Sequence, residues 1–167
     1  MIAQIIVSPN YEKARFPKTI YLGGSPSQYV EDNWRDRLVN GGLQHTATTI
    51  YVPKPTWQVL HRQTAEEQYT DIEWQHKRCK SASTVVLWFE DDFCKDLAMF
   101  ELGAILQRQE CVSESHEVDA VKQKLVVGFP MTYQYGQEVI VRAACFGYNG
   151  VICYSIEEMT QYLLQEP

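Results

Sequence analysis

The chain has 167 residues, 45% of them hydrophobic and 22% charged, which is the composition of one ordinary globular domain and excludes both a disordered chain and two full domains. Its 21 Asp and Glu against 15 Lys and Arg leave a formal charge of −6, and an acidic surface repels the phosphate backbone that dominates nucleic-acid affinity, so a DNA or RNA polymer is a poor partner. No apolar run reaches the ~20 residues needed to cross a bilayer.

In chain order, residues 1–17 hold one short apolar run, Ile2 to Val7, and read as an N-terminal extension: an edge strand followed by a Pro-containing connection. A single domain over residues 18–167 follows. The first residues lack a basic region leading into an apolar stretch and a small-residue cleavage site, so the expected location is cytoplasmic. From Thr19 onward, β-branched and aromatic runs alternate with longer helix-like segments. Strands are expected at Thr19–Leu22, Thr48–Val52, Thr84–Phe89, Leu125–Phe129 and Gly150–Tyr154, and helices at Gln28–Val39, Ala65–Lys80, Leu97–Gln109, Gln137–Phe146 and Ile156–Leu164. The runs TVVLWF, KLVVGF and GVICY are almost continuously apolar, as parallel strands covered on both faces are. The expected architecture is a doubly wound, five-stranded parallel sheet flanked by helices.

Thr64 with Glu67, and Ser155 with Glu158, have the spacing of a capping box at a helix start. On the helix after Thr64, the recurrence of Ala65, Tyr69, Ile72, His76 and Cys79 predicts the buried stripe; His76 and Cys79 read as core packing rather than metal ligands. The polar segment Cys111 to Gln123 reads as a solvated loop. Five cysteines (Cys79, Cys94, Cys111, Cys145 and Cys153), odd in number and without a CxxC pair, fit reduced, packed thiols.

In an open parallel sheet the ligand crevice lies beyond the carboxyl ends of the strands. After the first of the five strands comes Gly23-Gly24-Ser25-Pro26, either a bare turn or a place for close backbone approach to a ligand. After the second comes a Pro-rich loop presenting Trp57, either a packing anchor or a platform for a flat ligand. The third runs from Phe89 into an acidic segment with Glu90, Asp91, Asp92 and Asp96 before the next helix. Within that helix Glu101 stands among Leu97, Ala98, Ala104 and Ile105, three and four residues away. A carboxylate inside an apolar stripe must be paired or must have a task, and its surroundings decide whether it acts as nucleophile or acid.

The strings KTIYLGG at Lys18 to Gly24, YVP at Tyr51 to Pro53, the acidic loop and FELG at Phe100 to Gly103 together resemble the nucleoside 2-deoxyribosyltransferase family over about residues 18–165. The resemblance implies a flavodoxin-like fold and transfer of a 2-deoxyribosyl group between nucleobases in nucleoside salvage, through a covalent glutamyl intermediate. Glu101 is then implied as the nucleophile and Tyr21 as the hydroxyl that orients it. The implied substrate-binding set is Gly23, Gly24, Ser25, Trp57, Gln75, Phe89, Asp92 and Asp96, with Asp92 or Asp96 delivering a proton to the departing base. Deoxynucleosides and free nucleobases are the implied small-molecule partners, in a homo-oligomer, without metal or cofactor. Departures accompany the match: Lys95 stands where better-known members carry the base-contacting aspartate, Gln75 where they carry an acidic residue, and the asparagine some members lend across a subunit interface is absent. Two alternatives stay open, a hydrolase cleaving the N-glycosidic bond of deoxynucleosides or their 5′-monophosphates, and a catalytically silent nucleotide-binding module. Ser25 and the Gly23-Gly24 turn could seat a 5′-phosphate, but the acidic balance favours a nucleoside.

Overall fold

The computed structural model describes residues 1–25, 33–54, 63–90, 95–114 and 123–165, with side chains 97–110 described in the helix over 95–114. Six strands form one wholly parallel sheet: β1 (Gln4–Val7), β2 (Thr19–Gly24), β3 (Thr49–Val52), β4 (Thr84–Trp88), β5 (Lys124–Gly128) and β6 (Ile152–Cys153), in the order β1-β3-β2-β4-β5-β6. Among the described residues five α-helices flank it: α1 (Trp34–Asn40), α2 (Ala65–Ser81), α3 (Lys95–Glu114), α4 (Gly136–Cys145) and α5 (Ile156–Gln165). The five expected strands are present, and the N-terminal extension adds the sixth as an edge strand, with Gln4 to Val7 in register with Thr49 to Val52.

Alternating side chains of the strands feed two cores. Ile20 and Leu22 of β2, with Val86 and Trp88 of β4, pack against Trp34, Leu38, Ile156 and Met159 of α1 and α5. Tyr21, Val85, Leu87 and Val127 point the other way, to Trp74, Ala98, Leu102, Ile105 and Val139 of α2, α3 and α4. Covered on both faces, β4 is buried at every residue, which is why its sequence shows no polar alternation. The chain leaves β2 for α1 on one face and leaves β4 for α3 on the other, so the carboxyl ends of these adjacent strands diverge and open the crevice of a doubly wound sheet.

Several local expectations change. The last strand shrinks to Ile152–Cys153 because only those residues pair with β5, and the Tyr154 N–H turns to the Glu158 carboxylate at 2.7 Å. The Thr64–Glu67 capping box forms in full. At Ser155 only half does: its hydroxyl accepts from Glu158 N–H at 3.1 Å, while the Glu158 carboxylate is spent on Tyr154. Helix α3 continues to Glu114, into the segment read as loop, since no Gly or Pro interrupts residues 104–114. The described part of the first helix begins at Trp34, where Asn33 caps it by accepting from Arg35 N–H; residues 28–32 lie outside the described residues. Cys79 and Cys153 are buried as expected, but Cys145 is exposed; Cys94 and the side chain of Cys111 lie outside the description.

Helix α2 buries a different face from the one its periodicity suggests. Ala65, Tyr69, Ile72 and His76 are exposed, and the inward residues are Asp71, Trp74 and Cys79. Trp74 sets this rotation: its ring meets Tyr51 edge-on at 6.3 Å and its indole N–H donates to Asn10 O at 2.6 Å. Asp71 tolerates burial because three donors surround it. Ser8 Oγ donates to Oδ1 at 2.7 Å, while Lys54 Nζ at 2.6 Å and the Gln63 amide both donate to Oδ2. This hub joins the ends of β1 and β3 to α2. Burial by itself would raise the Asp71 pKa, but the Lys54, Gln63 and Ser8 hydrogen bonds outweigh it and hold it below the ordinary value.

The Asp71→Ala variant should therefore lose about 2–3 kcal/mol, because Lys54 and Gln63 remain half-buried without their acceptor. The folded carboxyl has the lower pKa, so its contribution is complete above the unfolded value of about 4 and is lost as pH falls through the folded one. Urea titrations of wild type and variant should differ at pH 7 and converge in acid; equal midpoints at pH 7 would contradict the hub.

Candidate active site

Of the residues the sequence singled out, the crevice between β2 and β4 gathers Tyr21, Gly23, Gly24 and Glu101. Register places Gly23 beside Leu87 and Gly24 beside Trp88, and Ser25 N–H extends the ladder to Trp88 O at 2.8 Å. Gly24 has φ of +96°, and a Cβ there would lie 2.3 Å from Trp88 O, so only glycine makes this turn. The turn directs the Gly24 N–H across the sheet end to Glu101 Oε2, at 2.8 Å. A Cβ on Gly23 would sit 2.6 Å from Glu101 Oε1 and 2.8 Å from the Tyr21 ring. The Gly-Gly pair is thus the notch into which the carboxylate fits.

Glu101 reaches this notch from the second turn of α3. The helix buries Ala98, Leu102, Ile105 and Leu106, whereas Leu97 and Ala104, expected beside Glu101 in the stripe, face outward. Glu101 therefore stands at the margin of the apolar face, half-buried as a residue, with its carboxylate turned into the sheet. Removal from water raises its pKa; the Gly24 N–H, a hydrogen bond from Tyr21 and the charge of Arg35 oppose that rise without cancelling it. Tyr21, fully buried on β2, is itself held well above its usual pKa by burial and then by the Glu101 charge, so its hydroxyl stays a proton donor. Cys79, facing the same carboxylate from α2, is pushed up to about 11 by burial first.

Ser25 lies completely buried beneath the turn, its carbonyl accepting from the Trp34 indole at 2.8 Å and its Oγ without a hydrogen-bond partner. Phe89 is also completely buried, its ring 6.4 Å from that of Tyr133. Gln75 is half-buried on α2, one turn beyond Asp71. Asp96 falls in the first turn of α3, but its side chain, and the whole of Trp57 and Asp92, lie outside the described residues. The structure thus brings Glu101, Tyr21, Gly23 and Gly24 together, with Ser25 directly below them.

Sequence reasoning missed Arg35, which is 2% exposed. Its Nε donates to Leu22 O at 3.0 Å and its Nη2 to Gly24 O at 3.4 Å. The signal was there to read: Leu38 and Val39 follow at three and four residues, so Arg35, like Glu101, is a charge within an apolar stripe. As a chemical device, the site offers one desolvated carboxylate, oriented by a backbone N–H and a phenol, at the mouth of a parallel sheet. Such a group can attack an electron-poor carbon.

A protein-family model described as "Nucleoside 2-deoxyribosyltransferase like" matches residues 17–115, more than half of the chain, from just before β2 to the end of α3. The match takes in Tyr21, Gly23, Gly24, Arg35 and Glu101. No curated protein matches the chain.

Because the folded state raises the Glu101 pKa, ionising that group costs stability at every pH above the folded value, and the cost disappears as pH falls through that value toward the unfolded one. Glu101→Gln keeps an acceptor for Gly24 N–H and removes the charge. It should be at least as stable as wild type at pH 7, with the difference fading in acid; thermal melts at several pH values check this, and a marked loss at pH 7 would contradict a desolvated carboxylate. Gly24→Ala should instead destabilise strongly, through ~1–2 kcal/mol of left-handed backbone strain plus the clash with β4.

Proposed function

The chain belongs to the nucleoside 2-deoxyribosyltransferase-like family, and from that premise we propose that it moves a 2-deoxyribosyl group from one nucleobase to another. The observation that supports this reading best is the Glu101 carboxylate, turned into the crevice and held on Gly24 N–H at 2.8 Å. In the first step a Glu101 oxygen attacks C1′ and the C1′–N bond breaks. Its electron pair leaves with the base, which takes up a proton at its ring nitrogen. A glycosyl-enzyme ester remains. In the second step a ring nitrogen of the incoming base attacks C1′, the ester bond breaks to restore the carboxylate, and the incoming base gives up its proton.

Each displacement inverts C1′, so the product retains the configuration of the donor. The oxocarbenium-like transition state carries positive charge, and a desolvated anion beside it interacts more strongly than a hydrated one. Tyr21 keeps one lone pair of the carboxylate engaged, which fixes its direction. Asp92 or Asp96 serves as proton donor to the leaving base, with Trp57 contacting its flat face. Gly23, Gly24 and Gln75 complete the proposed substrate-binding set, with the completely buried Ser25 and Phe89 supporting it from within the fold, and the working assembly is a homo-oligomer in the cytoplasm.

Incubation with deoxyadenosine or thymidine, with and without a second free base, tests the reading. Exchange of bases is the expected outcome; release of free sugar alone would mean a hydrolase, and binding without turnover a silent module. Rate should fall with acidification through a midpoint above the ordinary carboxylate range, because only ionised Glu101 attacks. Glu101→Ala should fold and show no turnover, and Tyr21→Phe should be slower by the value of one hydrogen bond to a charged acceptor, about 1.5–3 kcal/mol. A 2′-hydroxyl withdraws electrons from the cationic transition state, and if left unpaired on burial costs about 1–3 kcal/mol. Deoxyadenosine should accordingly react at least about tenfold faster than adenosine with cytosine as acceptor; equal rates would contradict the proposed sugar contacts.

A further inference from the structure

We propose that Arg35 is the positioning residue of this site: from the opposite face of the sheet it clamps the Gly-Gly turn so that Gly24 N–H meets Glu101, and it supplies the fixed positive charge facing that carboxylate. The inference rests on Glu101 being the reacting group.

Arg35 projects from α1, whereas Glu101 comes from α3 on the other face, and both reach the end of β2: Arg35 at Leu22 O and Gly24 O, Glu101 at Gly24 N–H. The guanidinium grips the carbonyls on either side of Gly23: Leu22 O by Nε at 3.0 Å and Gly24 O by Nη2 at 3.4 Å. Gly24 is thereby held at both ends, its carbonyl on Arg35 and its N–H on Glu101. Trp34 stacks beneath the plane, with Cζ 4.6 Å from its ring centroid, which limits the guanidinium to one orientation. A rigid fork suits this geometry, and a single ammonium does not.

The charge is also left unspent. A buried arginine that served packing alone would be expected to carry a carboxylate partner. Among the described residues none forms a salt bridge with Arg35, and its Nη1 has no hydrogen-bond partner. The groups whose charges act on it are Tyr21, Glu101, Asp36 and Glu90. Asp36 is exposed and Glu90 is bound to Arg37 at 2.8 Å, which leaves Glu101 as the desolvated anion. Among the described residues, the titratable and charged groups around Glu101 are Tyr21 from β2, Cys79 from α2 and Arg35 from α1, and Arg35 is the cation of that set. Burial brings Arg35 down to about 10, still charged at neutral pH. Acting through the turn rather than by direct contact, it favours the ionised carboxylate without occupying the oxygen that attacks.

Nuclear magnetic resonance on the full chain tests this without turnover. The Gly24 amide and the Glu101 side-chain carboxyl carbon, assigned by comparison with Glu101→Gln, should titrate together in wild type. In Arg35→Met both midpoints should rise by about one pH unit. In Arg35→Lys, which keeps the charge and loses the fork, the midpoint should stay nearer wild type while the Gly24 amide shift loses amplitude. If Arg35→Met does not fold, the Gly24 amplitude in Arg35→Lys decides. Unchanged Glu101 titration in folded Arg35→Met, or an unchanged Gly24 amplitude in Arg35→Lys, would overturn the role. The expected titrations in a protein inactive on every deoxynucleoside would instead count against the enzymatic reading.

Discussion

A carboxylate taken out of water at the end of a parallel sheet loses hydration that only well-placed donors and charges can replace, and much of the local architecture follows from that requirement at Glu101. The Gly24 N–H reaches it because the turn runs through φ of +96°, a conformation that an added Cβ would also block by collision with Trp88. Gly23 must lack a side chain because the carboxylate occupies that space. Tyr21 arrives two residues earlier on the same strand, where alternation points it to the α3 face. The divergence of α1 and α3 to opposite faces opens a crevice at the sheet end beside these groups.

Two carboxylates among the described residues are taken out of water, with opposite outcomes. Asp71 has three donors, one of them cationic, and its pKa is lowered; it joins strands to a helix and is saturated. Glu101 has a backbone N–H, a phenol and a more remote cation, and burial wins, so its pKa is raised. A saturated carboxylate is a rivet, whereas an under-supported one retains reactivity. Divergent environments of this kind separate structural from chemical roles within one fold.

The sheet was legible because its strands carry continuous apolar runs, and Val85 to Trp88 are indeed buried on both faces. The setting of Glu101 was legible in part, since Ala98 and Ile105 are buried as their spacing predicts while Leu97 and Ala104 face outward; the Gly-Gly pattern by itself fits a bare turn as well as a ligand approach, and the roles of these residues come from the family resemblance. Helix α2 was not: Tyr69 and Ile72 recur at helical spacing but face outward, because the Trp74 ring and the Asp71 hub fix the rotation, and a polar hub has no hydrophobic period to reveal it. The last strand was over-read because a side chain, Glu158, takes the N–H that would have extended pairing. Arg35 carries the same signature as Glu101, but its neighbours Trp34, Asp36 and Arg37 make the segment look amphipathic in the ordinary way and conceal it.

In the proposed reaction Glu101 becomes covalently bound to sugar during turnover. Mixing the protein with a deoxynucleoside in the absence of acceptor, quenching in acid and measuring intact and peptide masses tests it most directly. The expected result is the added mass of one deoxyribosyl group, located on the α3 peptide that contains Glu101 and discharged when a free base is supplied before the quench. Base exchange proceeding with Glu101 unmodified, or an adduct on another residue that persists in Glu101→Ala, would contradict it.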